Sequence, residues 1–264
     1  MKRPQAPEYL DRLRAHGISS FTTRQIRKDL SLSVVAAPQV LWRLRCKGRI
    51  ATPIAGYHLI VPPEYRTLRC LPADQFIDGL MCHLKEPYYA GLLSAAEIHG
   101  AAHQRPQIFQ VMVAKRRRPI KCGEVRIEFC VRRNVKKIPC AKHKVTTGYL
   151  RVSSPEATAF DLIGYMHRSA GLDNVATVLA ELEEFLDERK LAKTAKLSPI
   201  AWAQRLGALL HLLGKGSKSG LLAEYVQLHV RKTVPLASWK SAAGTQVLRP
   251  WRVSINERPE ADEI

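Results

Sequence analysis

The alternation of apolar and polar residues between Phe21 and Val61 constrains the fold of this chain most strongly. Thr22 or Thr23 can cap a helix that runs through the residues TRQIRKDL, because a hydroxyl at that position accepts an early backbone N–H. Ile26 and Leu30 then lie on one face of this helix. The residues SLS that follow predict a turn, so this stretch is typical of the first half of a helix-turn-helix.

A second helix after the turn has one apolar and one polar face. Val40, Leu41 and Leu44 form its apolar stripe, and Pro38 lies near its start. The opposite side is predicted to enter a DNA major groove. It carries Gln39, Trp42, Arg43 and Cys46.

Two short strands are predicted after this second helix. Gly48 ends the helix, because glycine readily takes the left-handed conformation found at helix C-termini. The strands Arg49–Pro53 and Gly56–Val61 are joined by a tight turn and form a wing, on which Tyr57 and His58 are predicted to touch the DNA backbone. The pattern predicts a winged helix-turn-helix, a module that binds DNA and also serves in some proteins as a docking module.

The length of 264 residues suggests two domains. A predicted helix over Pro7–His16 completes the first domain, residues 1–61. Three prolines without a clear period predict a linker over 62–73. The remaining residues, 74–264, are predicted to form a larger mixed α/β domain that starts with a helix capped by Asp74. The predicted fold class is therefore α+β.

The second domain is predicted to change from mixed to helical near Ser153. A helix at 92–99 precedes strands at 107–113, 124–131 and 146–152. Ser154, followed by Pro155 and Glu156, marks a helix start, because a hydroxyl cap, proline and an acidic residue each favour a first turn. Further elements are predicted as helices at 173–186, 198–213 and 221–230 and a short strand at 251–255.

The formal net charge of +19 indicates a polyanionic partner. Residues 1–73 hold 13 basic and 4 acidic residues, residues 74–150 hold 14 and 6, and residues 151–264 hold 15 and 13. The excess therefore lies in the first 150 residues. Membrane binding is disfavoured, because no apolar run is long enough to span a bilayer and the opening residues MKRPQAPEYL lack an apolar signal core.

Two basic runs lie at predicted strand ends and could form a second basic surface or simply be solvated loops. Their residues are Lys115, Arg116, Arg117, Arg118, Arg132, Arg133, Lys136 and Lys137.

No catalytic or metal site is predicted. Six cysteines without a CxxC pair indicate free thiols in a cytoplasmic protein, and the scattered Cys and His residues lack the paired spacing of zinc ligands. The loop GKGSKSG lacks the spacing of a phosphate-binding loop and is predicted to connect helices. Glu124 and Glu128 could serve a nuclease but also fit the polar face of an ordinary strand. Asp161, within an apolar helix, is interpreted as a structural ion pair or cap.

Three segments of the chain resemble the AbiEi antitoxin family of type IV toxin–antitoxin systems. They are YYAGLLSAAEIHGA, RVSSPEATAFDLI and LRPWRVSIN. Placed by position, Leu93-Ser94-Ala95 and Glu97-Ile98-His99-Gly100 match a structural helix of that family, and Asp161 falls on the aspartate of its SPE motif. The chain departs from the family pattern at Gly91-Leu92, where a histidine is common, and at Pro38.

The resemblance implies an N-terminal domain that binds the operon's own promoter and a C-terminal domain needed to counteract a nucleotidyltransferase-like toxin. We expect a non-enzymatic protein without a cofactor that binds double-stranded DNA at repeated half-sites, as a monomer or a weak DNA-assisted oligomer. A stand-alone ligand-sensing regulator and a basic nucleic-acid-processing enzyme are the alternatives. The predicted DNA-binding residues are Arg24, Arg27, Lys28, Gln39, Trp42, Arg43, Lys47 and His58.

Overall fold

The computed structural model describes residues 6–101 and 106–259 and confirms a mixed α and β fold. Spatial contacts divide the chain into two compact units whose segments alternate along the sequence. The first unit lies within Met1–Tyr89, Gln107–Arg133 and Lys142–Arg151. The second lies within Ala90–Pro106, Asn134–Ala141 and Val152–Ile264. The sequence boundaries at 61 and 74 do not coincide with these units and stay a prediction.

The first unit begins with three helices and a small antiparallel sheet. In chain order these are α1 (Ala6–Ala15), β1 (Ser20–Thr22), α2 (Thr23–Asp29), α3 (Ala36–Cys46), β2 (Ile50–Ile54) and β3 (Tyr57–Ile60). The strand order is β1-β3-β2, with Phe21 opposite His58 and Ile50 opposite Ile60. The predicted helices and both predicted strands are present, whereas β1 was not predicted.

Local sequence explains where these elements begin and end. Thr22 caps α2 as predicted, because its hydroxyl accepts from the Gln25 backbone N–H while the Gln25 side chain accepts from the Thr22 N–H. Gly48, at φ +64°, ends α3 as predicted, and Gly56, at φ +81°, forms the turn between β2 and β3. One apolar cluster then holds the elements together. Its buried members are Tyr9, Leu10, Phe21, Ile26, Leu30, Leu44, Ile50 and Ile60.

A six-stranded sheet follows. It comprises β4 (Tyr88–Ala90), β5 (Phe109–Val113), β6 (Ile120–Cys122), β7 (Val125–Val131), β8 (Cys140–Val145) and β9 (Gly148–Ser153), and α4 (Ala73–His83) precedes it. The order is β6-β7-β5-β4-β9-β8, with β5 and β7 parallel and β6 and β7 antiparallel. Asp74 does not cap α4, because the helix starts at Ala73 with Pro72 at the cap position and no side-chain cap bond. That prediction was wrong.

The second unit is mainly helical. Its helices are α5 (Leu92–Ile98), α6 (Pro155–Gly164), α7 (Gly171–Leu182), α8 (Glu188–Ala195), α9 (Ile200–Leu212) and α10 (Gly220–His229). Short strands β10 (Val234–Pro235), β11 (Val247–Leu248) and β12 (Val253–Ser254) form a sheet in the order β10-β12-β11. Short 3-10 turns lie at Pro63–Tyr65 in the first unit and at Val135–Lys137, Met166–Arg168, Glu183–Phe185 and Gly216–Lys218 in the second.

Helix α6 lies at the centre of the second unit. Ser154 caps it as predicted, with its hydroxyl accepting from the Ala157 N–H, and every residue from Glu156 to Ile163 is buried. Nearby, the buried Gln204 amide donates to the backbone carbonyls of Trp251 and Arg252. The glycine-rich loop joins α9 to α10 and is the helix connector that the sequence predicts.

Candidate nucleic-acid interface

Helix α3 presents its apolar face to the core of the first unit. Ala37 and Leu44 are buried, while Val40 and Leu41 pack against the apolar cluster. The predicted stripe is therefore confirmed and extended by Ala37. Helix α3 begins at Ala36, so Pro38 lies in its first turn. Proline is tolerated there, because the N–H groups of the first turn have no intrahelical acceptor.

The opposite face of α3 is exposed. Gln39, Arg43 and Cys46 are open to solvent, and Trp42 keeps 58% of its surface exposed. Val34 and Val35, in the turn before α3, are more exposed still, at 67% and 73%. Large apolar side chains left open beside polar ones are typical of a contact surface.

Four cations lie on or beside this pair of helices and carry exposed charge. Arg24 and Lys28 are on α2, Arg43 is on α3, and Lys47 directly follows α3. Within the described part of the chain, none of the four forms an ion pair. Their charge therefore remains available to an anionic partner.

The nearby acidic side chains are already engaged. Asp29 accepts a 2.8 Å hydrogen bond from the Tyr9 hydroxyl, and Asp11 pairs with Arg49 at 2.5 Å. Arg27 is half-buried, which leaves it less accessible than Arg24. The surface formed by α2 and α3 is therefore predominantly positive.

His58 and Tyr57 do not lie on the surface of the wing, which corrects the prediction that they touch DNA. His58 is 5% exposed, and its ring nitrogens lie 2.8 Å from the Thr23 hydroxyl and 3.0 Å from the Thr52 hydroxyl. Burial, with a smaller contribution from the positive charge of Arg45, lowers the pKa of His58 to about 4. Tyr57 is also buried and donates to the Ser20 hydroxyl at 2.9 Å. These two strand residues face inward.

The predicted second basic surface is only partly present. Lys115, Arg116 and Arg118 are exposed, but Arg117 pairs with Glu86 at 2.6 Å, and this hydrogen-bonded pair lowers the pKa of Glu86. Arg132 is 6% exposed. The Arg132 N–H donates to the Val113 carbonyl at 2.8 Å, so the chain directly after β7 still lies beside the end of β5.

The remaining cations of the predicted second surface are exposed but do not belong to one unit. Arg133 lies in the first unit, whereas Lys136 and Lys137 lie in the second. Of the eight predicted residues, the structure removes Arg117, which is paired, and Arg132, which is buried, from the exposed unpaired cations.

Sequence reasoning missed a basic cleft in the first unit. A cavity of about 770 Å³ is lined by Arg45, Lys47, Arg66, Arg69 and Lys121. These residues come from three separate chain segments, so no run of charge reveals them. The only sequence signal is the high basic content of residues 1–73.

The second unit contains a smaller cavity beside the start of α6. It measures about 420 Å³, and its lining includes His99, Glu156 and Phe185. His99 Nε2 lies 2.8 Å from the Ser153 carbonyl, and buried Glu156 accepts a hydrogen bond from the Asp187 N–H. These contacts tie the ends of α5, α6 and α8 together, which is a structural arrangement.

The acidic candidates do not form a metal centre in the described residues. No three His, Cys, Asp or Glu side chains of residues 6–101 and 106–259 come together as metal ligands. Glu124 is exposed beside β7 and Glu128 is half-buried within it. Asp161 is fully buried in α6. None of the six cysteines, all of which lie in the described residues, forms a disulfide.

Comparison with known proteins identifies the middle of the chain. Residues 89–212 match the family model of the AbiEi antitoxin C-terminal domain. This segment belongs to the AbiEi antitoxin family. The AbiEi segment contains the helices α5 to α9, and it includes SAAEIHGA and SSPEATAFDL, which belong to two of the three stretches that carry the resemblance in sequence. AbiEi antitoxins are not a family of enzymes.

A crystal structure of the RV2827C protein from Mycobacterium tuberculosis has a similar fold beyond the AbiEi segment. Its TM-score is 0.68 at 13% sequence identity, over 94% of this chain and 90% of that one. At this identity the likeness concerns the fold alone. No curated protein matches the chain. Among the described helices, none is both long and apolar enough to cross a membrane.

Proposed function

We propose that the protein is an antitoxin that also represses its own operon by binding the promoter through an N-terminal winged helix-turn-helix. The exposed face of α3, with Gln39, Trp42 and Arg43 beside unpaired cations, is the observation that carries the DNA-binding part. The order of α1, β1, α2, α3, β2 and β3 supports the winged module. The AbiEi family match supports the antitoxin part.

In this proposal α3 enters the major groove and reads base edges. Arg43 donates to guanine, Gln39 donates to and accepts from adenine, and Trp42 packs against a thymine methyl group. Arg24, Lys28 and Lys47 bind phosphates on either side and set the orientation of the helix, with Arg27 in a minor role. His58 stabilises the wing from inside and touches no DNA.

One such module reads few bases, and each good base contact favours the correct base over a wrong one by only about 1–3 kcal/mol of binding free energy. Specific repression therefore requires paired or cooperative binding to repeated half-sites. Half-sites on one face of the duplex lie about one helical turn apart. We propose that the protein is a monomer in solution and associates on DNA.

Base and phosphate contacts are separable by substitution. Arg43→Ala should reduce the affinity for the promoter by about tenfold or more and leave the affinity for random duplex nearly unchanged, because it removes base contacts. Lys28→Ala should lower the affinity for both duplexes by the same factor. It should also reduce the slope of log K against log salt concentration by about 1, because one phosphate contact is lost. Fluorescence anisotropy at several salt concentrations measures both quantities.

Lys196→Ala, an exposed lysine of the second unit, is the matched control and should behave as the wild type. If Arg43→Ala lowers the affinity for promoter and random duplexes by the same factor, α3 does not read the bases in the way proposed. If the wild-type protein binds neither the promoter nor the random duplex, the proposed DNA-binding function is wrong.

The antitoxin part concerns the AbiEi segment and a nucleotidyltransferase-like toxin encoded beside it. Co-expression with that neighbouring gene should restore the growth that the toxin alone arrests. The Arg43→Ala variant should still protect when both genes are expressed from an unrelated promoter, because DNA reading is then not needed. A toxin that remains lethal beside the wild-type chain, or a neighbouring gene that is harmless alone, would contradict this part while leaving DNA binding intact.

A further inference from the structure

The cleft in the first unit gathers positive charge from three places in the chain. Arg45 and Lys47 come from the end of α3, Arg66 and Arg69 from the turns before α4, and Lys121 from the middle of β6. All five are exposed, and no acidic residue lines the cavity.

These charges have no partner within the described part of the chain. None of the five cations forms an ion pair there, in contrast to Arg49, which pairs with Asp11, and Arg117, which pairs with Glu86. The field of Arg45 also contributes to the lowered pKa of His58. Five like charges brought together repel one another, so an anion in the cleft would be favoured.

Two positive-φ residues and a backbone hydrogen bond lie beside the cleft, between the turn before α4 and β6. Arg69 has a positive φ of 53°, an uncommon conformation for a residue with a side chain. Gly123 follows β6 at φ +58°, and a methyl group there would lie 2.1 Å from the Leu68 carbonyl oxygen. The Glu124 N–H donates to that carbonyl at 2.9 Å. This contact fixes the turn that carries Arg66 and Arg69 beside the strand that carries Lys121.

We propose that this cleft binds a small ligand with two or more linked phosphate groups, such as a nucleoside diphosphate or inorganic pyrophosphate. The guanidinium groups of Arg66 and Arg69 suit bidentate recognition of phosphate oxygens, and the lysines add point charge. A volume of about 770 Å³ lies in the range of small-molecule sites. The concave form favours a ligand that enters the cleft over a DNA backbone that passes across it.

Ligand binding would affect the neighbouring interface, and this step rests on the proposed function. Arg45 and Lys47 belong to the end of α3, so a bound polyphosphate would neutralise cations beside the proposed DNA-reading helix. The ligand is therefore expected to lower the DNA affinity, and DNA to lower the ligand affinity by the same factor.

Isothermal titration calorimetry with inorganic pyrophosphate tests the site without DNA. We expect saturable binding of one equivalent with a dissociation constant of about 1 mM or lower. Arg66→Gln and Arg69→Gln should each weaken it by about tenfold, because each removes charge-assisted hydrogen bonds. Arg14→Gln, an equal change of charge on α1 outside the cleft and outside the proposed DNA interface, should not. All three side chains are exposed, so the variants should fold, which the unchanged thermal midpoint would verify.

The outcomes separate the two sources of phosphate. Absence of saturable pyrophosphate binding overturns the proposal, and a simultaneous loss of DNA affinity in Arg66→Gln and Arg69→Gln would assign the cleft to the DNA backbone. Equal weakening of pyrophosphate binding by Arg14→Gln would also overturn it, because the attraction would then be diffuse.

Adding pyrophosphate to the DNA anisotropy assay at constant ionic strength tests the coupling. An unchanged DNA affinity would contradict the coupling alone. Pyrophosphate binding by a chain that binds no DNA would support the cleft and contradict the proposed function.

Discussion

The buried His58 makes the stability of the first unit depend on pH. Its two ring nitrogens lie within hydrogen-bond distance of the Thr23 and Thr52 hydroxyls, and its ring centre is 5.3 Å from that of Phe21. A neutral imidazole can donate at one nitrogen and accept at the other, so it can serve both hydroxyls. A protonated ring would place a charge in this buried position, close to Arg45.

The pKa of His58 is about 4 in the folded protein against 6.5 for an unperturbed histidine. On acidification the unfolded chain therefore binds a proton first, so the stabilising effect is complete above pH 6.5 and is lost as the pH falls toward 4. One pKa unit corresponds to about 1.4 kcal/mol, so the loss attributable to His58 is about 2 kcal/mol at pH 5 and about 3 kcal/mol at its limit.

Amide hydrogen exchange of peptides between α2 and β3 measures the unfolding free energy of this region at pH 7 and pH 5, after correction for intrinsic exchange. The wild type should lose about 2 kcal/mol more than His58→Gln between these pH values. The exposed His16 provides the control, because His16→Gln should retain the wild-type dependence. If wild type and His58→Gln lose equal stability, the histidine is not held neutral by burial.

Two further predictions concern stability. Thr22→Ala removes the reciprocal cap with Gln25 and should lower the free energy of unfolding of the first unit, measured in urea, by about 1 kcal/mol. Thr67→Ala, at an exposed turn, is the control and should have little effect. Equal effects of the two substitutions would mean that the cap contributes nothing. Gly207→Ala would place a methyl group 2.1 Å from the Trp251 ring and should destabilise the second unit by about 1–3 kcal/mol. Adding Trp251→Leu should recover part of that loss in a double-mutant cycle, and strict additivity would show that the two side chains do not collide.

The sequence predicted most accurately those helix caps and faces for which a local sequence rule and the packing of the core favour the same structure. The α2 cap at Thr22, the apolar stripe of α3 and the α6 cap at Ser154 each depend on neighbours within one turn, and each is present. Helix α8 was missed although Asp187 caps it, because it is short and strongly charged. Strand β8 was missed because most of its residues are exposed and it lacks a buried alternating face.

The candidate site was predicted less completely, because exposure and pairing depend on distant residues. Trp42 and Arg43 could be assigned to the outer face of α3 from helical spacing alone. Spacing could not show that His58 faces the core or that Arg117 meets Glu86, 31 residues away. Spacing also could not predict that Arg69 lies beside β6, because the two segments are separated by more than 50 residues in the chain.

The alternating arrangement of the two units limits how this protein can be rebuilt by recombination. The chain passes from one unit to the other five times, after Tyr89, Pro106, Arg133, Ala141 and Arg151. A regulator whose DNA-reading module ends at a single linker can exchange that module through one crossover between genes. Here no single crossover at these positions transfers one complete unit without part of the other. A crossover that exchanged the proposed reading surface without the AbiEi segment would split the first unit and is expected to destabilise it.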